Sequence, residues 1–217
     1  MAEPTSTTTR HRIPRCLLLM VIVLYLLDQA SKWYIALNFE LPKPYWLDRV
    51  SVIAGSSLMN FDIVRLHNNG VAFGAGSGTA WAPYVFLTIH IVALVWLICL
   101  FRRGLFSTRL LKLAWGFIMV GVIGNMTDRL LQGFFLPGAG ELSFWQNLAN
   151  GYVVDFLDFS FPWIKTETFP HGYHWPSFNV ADSCVCIAAA LFVVASFFTP
   201  TAAQKKEDTP GATPPEA

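Results

Sequence analysis

At 217 residues, 54% hydrophobic, 15% aromatic and only 13% charged, the chain has about half the charged fraction of an ordinary soluble domain, where roughly a quarter of residues carry charge. That composition excludes a conventional water-soluble enzyme and points to a membrane. A formal net charge of +1 offers no electrostatic footprint for nucleic acid.

In chain order, residues 1–15 begin with the Thr- and Pro-rich "MAEPTSTTTR" and are expected to form a disordered cytoplasmic N-terminus. The first apolar run covers about 16–34 and follows Arg10, Arg12 and Arg15. It reads as an uncleaved helix and not as a signal peptide, because it runs on into Asp28, Ser31 and Lys32 without a small-residue cleavage site. Further runs cover about 83–101, 110–131 and 182–198, each near the ~20 residues that cross a ~30 Å hydrocarbon core. Arg102, Arg103, Arg109 and Lys112 crowd the second-to-third connection, and Lys205 and Lys206 follow the fourth run. Nine of the fifteen basic residues therefore fall on one side, which places both termini in the cytoplasm and segments 35–82 and 132–181 outside. The expected fold class is a membrane all-α core of four transmembrane helices with a small external β-rich subdomain.

In the first external segment, "SVIAGS" and "LMNFDIVRLHN" alternate in part and are broken by Gly55-Ser56-Ser57, which predicts a hairpin or small sheet. "NNGVAFGAGSGTA" follows, where Gly70, Gly74, Gly76 and Gly78 permit tight backbone paths. The second external segment carries Trp145, Trp163, Trp175, Phe159, Phe161 and Phe169, aromatics suited to the headgroup level. Residues 199–217 read as a disordered cytoplasmic tail. Cys16, Cys99, Cys184 and Cys186 show no metal or disulfide spacing and read as packing residues.

The informative residues are polar ones where a bilayer should forbid them. Asp28 and Lys32 lie four apart on one helix face, in the favourable order for an ion pair. Two readings stand side by side: Lys32 snorkels to the interface with Asp28 as its neutralising partner, or the pair supports a site. In "GVIGNMTDRLL", Asn125, Asp128 and Arg129 share a face, while Gly121 and Gly124 allow close helix approach. They read as a hydrogen-bond knot that also shapes a site. Asp155 sits in the apolar extended stretch "GYVVDFLDF", with Asp158 as its natural competitor. Asn179 and Asp182 fit a capping box at the start of the fourth span. Capping accounts for one acid, yet every span but the second has an acid at its outer end. Two carboxylates brought together share a proton and act as base and acid, chemistry suited to peptide hydrolysis at the membrane surface.

Five blocks, "DQASK" at 28, "NNGVAFG" at 68, "GVIGNMTDR" at 121, "GYVVDF" at 151 and "FNVAD" at 178, occur in order over about residues 16–198. In this the chain resembles lipoprotein signal peptidase (signal peptidase II), a family of aspartic peptidases of the bacterial inner membrane. The resemblance implies that Asp155 and Asp182 are the catalytic pair. It further implies that Asp28, Lys32, Asn68, Gly70, Asn125, Asp128, Arg129 and Asn179 support the site or contact substrate. The implied substrate is a diacylglyceryl-modified prolipoprotein, cleaved before its lipidated cysteine by a monomeric enzyme in contact with membrane lipid. Its site would lie at the periplasmic face, with no metal or organic cofactor, and it would be inhibited by globomycin. Apolar flanks around Asp155 and a helix start at Asp182 suggest Asp182 as initial base and Asp155 as proton donor.

Two stretches depart from the family pattern, at about 131–150 and 160–177, where longer connections suggest a lid or an extra membrane-resting element. Two rival readings compete with the peptidase. A metal-dependent protease would use His171 and His174, but no HExxH helix accompanies them. A small carrier or structural four-helix protein would line a path through the bilayer with acids, whereas these acids cluster at the outer ends. His90, alone in the second span, reads as packed or hydrogen-bonded.

Overall fold

The computed structural model describes residues 12–40, 49–70, 81–167, 170 and 172–198. The expectations for the tails, for Gly74, Gly76 and Gly78, and for Phe169 and His171 lie outside these residues. Four helices are long and apolar enough to cross a membrane: α1 (Arg15–Asn38), α2 (Ala82–Arg102), α3 (Arg109–Leu131) and α5 (Val180–Phe198). They fall on the expected runs, with α1 continuing four residues further.

Helix α3 is the centre of the bundle and packs against α1, α2 and α5. Small residues make this possible. Gly116 faces Leu17 and Met20 of α1, Gly121 faces Ala181 and Val185 of α5, and Gly124 faces both Asp28 and Ala181. At Gly121 and Gly124 a Cβ would crowd the Ala181 carbonyl oxygen or Cβ at 3.0 Å and force the helices apart, whereas at Gly116 it would displace only the ends of Met20 and Leu17. Around them sits an apolar core of Leu17, Val21, Leu97, Phe101, Phe106, Trp115, Met119, Val120 and Cys184. The buried Trp115 indole is satisfied by donating to the Leu97 carbonyl at 3.0 Å. Outward-facing side chains such as Leu19, Leu26, Val92, Trp96 and Val193 are exposed, as lipid-facing side chains should be. Of the four free cysteines only Cys184 is buried. The packing role expected for Cys16, Cys99 and Cys186 is thus not seen, since all three face outward.

The predicted hairpin is present as β1 (Arg49–Ile53) and β2 (Asn60–Asn68), paired antiparallel with Gly55 at φ 69° between them. The sheet is larger than expected. Strand β3 (Val153–Phe161) pairs with β2, and β4 (Tyr173–His174) pairs with β3, giving the order β1-β2-β3-β4. A second apolar cluster of Ile35, Tyr152, Val154 and Phe156 fastens this sheet to the end of α1. Just before α5, Phe178 bridges to Leu157: Leu157 N–H donates to the Phe178 carbonyl at 2.8 Å, and Phe178 N–H returns to the Leu157 carbonyl at 3.1 Å. That bridge sets the start of α5 against the middle of β3.

Between α3 and β3 the chain forms its own small unit. Helix α3 continues as a 3-10 turn, Gln132–Phe135, then Ala139–Glu141 forms another turn and α4 (Phe144–Ala149) follows, capped by a reciprocal Ser143–Gln146 box.

Candidate active site

The Asn179–Asp182 capping box exists. Asp182 N–H donates to Asn179 Oδ1 at 2.9 Å, and Asn179 N–H donates to Asp182 Oδ2 at 3.2 Å. It leaves the Asn179 amide nitrogen and Asp182 Oδ1 free to reach further. Asn179 Nδ2 donates to Asp155 Oδ1 at 2.7 Å, and Asn125 Nδ2 donates to Asp182 Oδ1 at 2.8 Å. Asn179 therefore caps α5 and touches both acids, and it is fully buried.

Asp155 is 4% exposed. Its second oxygen accepts from Asn68 Nδ2 at 2.9 Å, while Asn68 Oδ1 accepts the Gly70 N–H at 3.1 Å. Among the described residues both donors to this carboxyl group are neutral amides, and no cation contacts it. Burial, and then the nearby charge of Asp182, push the Asp155 carboxyl up to about 7, against the opposing hydrogen bonds from Asn68 and Asn179.

Beneath this pair lies a buried polar knot. Lys32 Nζ reaches Asp28 Oδ2 at 2.9 Å, Asp128 Oδ2 at 3.2 Å and Asn125 Oδ1 at 2.9 Å. Its three protons thus have three acceptors, and neither Lys32 nor Asp28 has any exposed surface. The snorkelling reading of Lys32 is overturned. Burying these ions costs several kcal/mol each, offset only where every charge is paired and bonded. Both acids are indeed bonded again: Asp28 Oδ1 accepts Ala181 N–H at 2.8 Å, and Asp128 Oδ2 accepts Val154 N–H at 3.1 Å. These two bonds tie α1 to α5 and α3 to β3, so the knot fixes the elements that carry the two upper acids.

Arg129 turns elsewhere on α3. Its Nη2 donates to the Gly70 carbonyl at 2.7 Å, and its guanidinium carbon lies 5.1 Å from the Phe86 ring centre, a cation–π distance. Its Nε and Nη1 are buried and have no hydrogen-bond partner among the described residues. All eight supporting residues expected from the sequence thus join one network with Asp155 and Asp182.

Asp158 does not join. It lies three residues from Asp155 on β3, and alternation puts it on the opposite face. There it accepts from Ser177 Oγ at 2.9 Å and pairs with His174 Nδ1 at 3.1 Å. His174, expected by one rival reading to hold a metal, is engaged in this contact. His90 is hydrogen-bonded as expected, its Nδ1 being 2.6 Å from the Phe86 carbonyl.

Sequence reasoning missed Gln29. Its Nε2 lies 3.1 Å from Asp28 Oδ2, 3.1 Å from Asp128 Oδ1 and 3.2 Å from the Gly124 carbonyl. A second polar residue beside Asp28 inside a span was the available signal.

Comparisons with known proteins agree with this arrangement. A family model described as signal peptidase (SPase) II matches residues 20–198. The chain is similar to the lipoprotein signal peptidase of Nitratidesulfovibrio vulgaris (strain DP4), 34% identical over 86% of this chain and 92% of that protein. It is also similar to that of Serratia proteamaculans (strain 568), 30% identical over 83% of this chain and 86% of that one. In fold it resembles a bacterial membrane enzyme solved by the in meso method at 2.3 Å resolution, with TM-score 0.60 and 22% identity over 95% of this chain and 99% of that one.

Proposed function

The chain belongs to the signal peptidase II family, and from that premise we propose that Asp155 and Asp182 are its catalytic pair. It is a membrane aspartic endopeptidase that removes the signal peptide from diacylglyceryl-modified prolipoproteins, cutting before the lipidated cysteine. The observation that carries the assignment is Asn179: this one buried residue donates to both carboxyl groups, its side-chain amide to Asp155 and its backbone N–H to Asp182, and so sets the two acids beside each other.

In the proposed cycle Asp182 takes a proton from water as the water oxygen bonds to the scissile carbonyl carbon. Asp155, whose raised pKa keeps it protonated up to about 7, gives its proton to the leaving cysteine nitrogen as the C–N bond breaks. The products are a signal peptide ending in a carboxylate and a lipoprotein with a free, protonated amino terminus that carries off the second proton of the water, and the proton held by Asp182 passes to Asp155, restoring the singly protonated pair. Asn68, Asn125 and Asn179 orient the acids, and the knot of Asp28, Lys32 and Asp128 holds their supporting elements. Arg129, with two buried nitrogens next to Gly70 that have no partner among the described residues, is positioned to donate to a carbonyl of an extended substrate.

The peptidase unit is taken as 16–198, with both termini cytoplasmic, the site at the periplasmic face of the inner membrane, and the enzyme working as a monomer. The asymmetric placement of Lys and Arg supports that orientation.

The test is processing of a diacylglyceryl-modified prolipoprotein by purified wild type, Asp155→Asn, Asp182→Asn and Asp158→Asn. Cleavage by wild type and Asp158→Asn, with loss of at least ~10³-fold in the other two while they still fold and bind globomycin, is the expected result. Near-normal activity in either dyad variant would refute the assignment.

A further inference from the structure

The unit between α3 and β3 takes no part in the chemistry above. Two of its polar side chains are inside, Gln132 at 1% exposed and Asn147 at 6%, the latter donating to the Ala139 carbonyl at 2.9 Å, while Glu141, Ser143, Gln146 and Asn150 are exposed. Gly133 lies against the Asn147 carbonyl and Gly151 against the Arg129 carbonyl, so the unit sits tightly on the end of α3. Tyr84 Oη donates to the Trp145 carbonyl at 3.0 Å and fastens the unit to α2. Its aromatics point the other way, with Phe135 62%, Phe144 59% and Trp145 66% exposed. Held rigidly by hydrogen bonds yet showing three large apolar side chains outward, this surface is unsuited to water.

What covers it follows from continuity. Phe135 ends the span that begins at Arg109, so the surface continues the lipid-facing side of α3. Trp33 of α1 meets Phe135 edge-on at 4.8 Å. Trp81 and Tyr84 at the same end of α2 are exposed beside it. Trp and Tyr are the residues that settle at the headgroup boundary. Glu141 is the only charged residue from 131 to 152, so nothing here selects an anionic headgroup.

We propose that residues 131–145, with Trp81 and Tyr84, form an interfacial ledge seated among lipids at the headgroup–acyl boundary, at the end of the bundle that carries the site. The contact is apolar and indifferent to lipid charge. It rests on the four-span reading alone and not on the assignment of the acids.

The test uses the full chain with Cys16, Cys99, Cys184 and Cys186 replaced by Ala and a nitroxide attached at Phe135→Cys, Phe144→Cys or, as a solvent reference, Ser57→Cys. The protein is placed in phosphatidylcholine vesicles with or without phosphatidylglycerol. At 135 and 144, collisions with oxygen are expected to exceed those with a water-soluble nickel chelate several-fold, at shallow depth and equally in both lipids. A parallel experiment on the chain with its cysteines intact places photoreactive benzoylphenylalanine at Trp145, and lipid adducts are expected. Chelate-dominated collisions at 135 and 144, protection from both reagents as a protein partner or second copy would give, or absence of lipid adducts would each overturn the ledge.

Discussion

Asp155 and Asp158 lie on one strand, three residues apart, and are about equally buried. Their partners differ in kind. Asp155 receives hydrogen bonds from two neutral amides and feels the charge of a second acid. Asp158 receives a hydroxyl and an imidazole, and opposite it on β2 stands Asp62, itself paired with Arg49 of β1. An acid that gets orientation without a counter-charge holds its proton near neutral pH and can give it away. Lys32 sharpens the point: it is withheld from both upper acids and reaches Asp182 only through Asn125.

The largest stability effect is expected on the Asp155 side. Lys32→Ala leaves Asp28 and Asp128 buried without their cation and should cost ~3–5 kcal/mol, seen as loss of folded protein or a much lower unfolding temperature in detergent. Adding Asp28→Asn should recover part of that loss. By contrast Arg49→Ala, which removes a partly exposed cation from one buried acid, Asp62, and not from two, should cost less, ~1–3 kcal/mol. Equal losses in the two variants would break the contrast between the two surroundings.

The next effect is on pH. Because the Asp155 carboxyl is raised to about 7 from 3.8, its neutral form persists through the weakly acidic range and is lost above 7. A proton donor with that behaviour gives a turnover rate that declines towards tenfold per pH unit on the alkaline side. Asp158→Asn should leave that limb in place. A profile flat to pH 9, measured in single-turnover reactions, would remove Asp155 from the donor role.

Much of this was legible from local pattern. The spans follow from run length, the capping box from Asn-x-x-Asp, and the knot from acids and amides placed inside apolar helices. What stayed hidden is non-local. Strand β3 shows no clean alternation because it is covered on both faces, so "VVDFLDF" gave no sign that it pairs with β2 almost ninety residues earlier. Without that pairing, parity could not be applied to separate Asp155 from Asp158. Lys32 was ambiguous for a related reason. A lysine near a helix end can snorkel, and only the packing of α3 and α5 around it shows that its way to water is closed. Asn179 had a sufficient local explanation as a cap, and only the family resemblance pointed to its second role.

The smallest effect belongs to His174. Its pKa is raised, chiefly by the hydrogen bond to Asp158 and then by that acid's charge, with partial burial opposing. A histidine whose folded pKa exceeds its unfolded 6.5 adds stability that is fully present below pH 6.5 and lost as pH rises through the folded value. The side chain is half exposed, so the contribution should stay within the ~0–1 kcal/mol of surface pairs. What it ties is β4 and the connection that follows, where Trp175 N–H also donates to the Phe159 carbonyl at 2.8 Å. Amide exchange over residues 172–177, corrected for its intrinsic pH dependence, should therefore quicken between pH 6 and pH 8 in wild type. In His174→Gln that pH dependence should vanish, and prolipoprotein cleavage should stay within about twofold of wild type, inside the ±0.5 kcal/mol range of surface changes. If His174→Gln instead lowered cleavage tenfold or more, the Asp158 face of β3 would belong to the site, and parity on this strand would not separate the two acids.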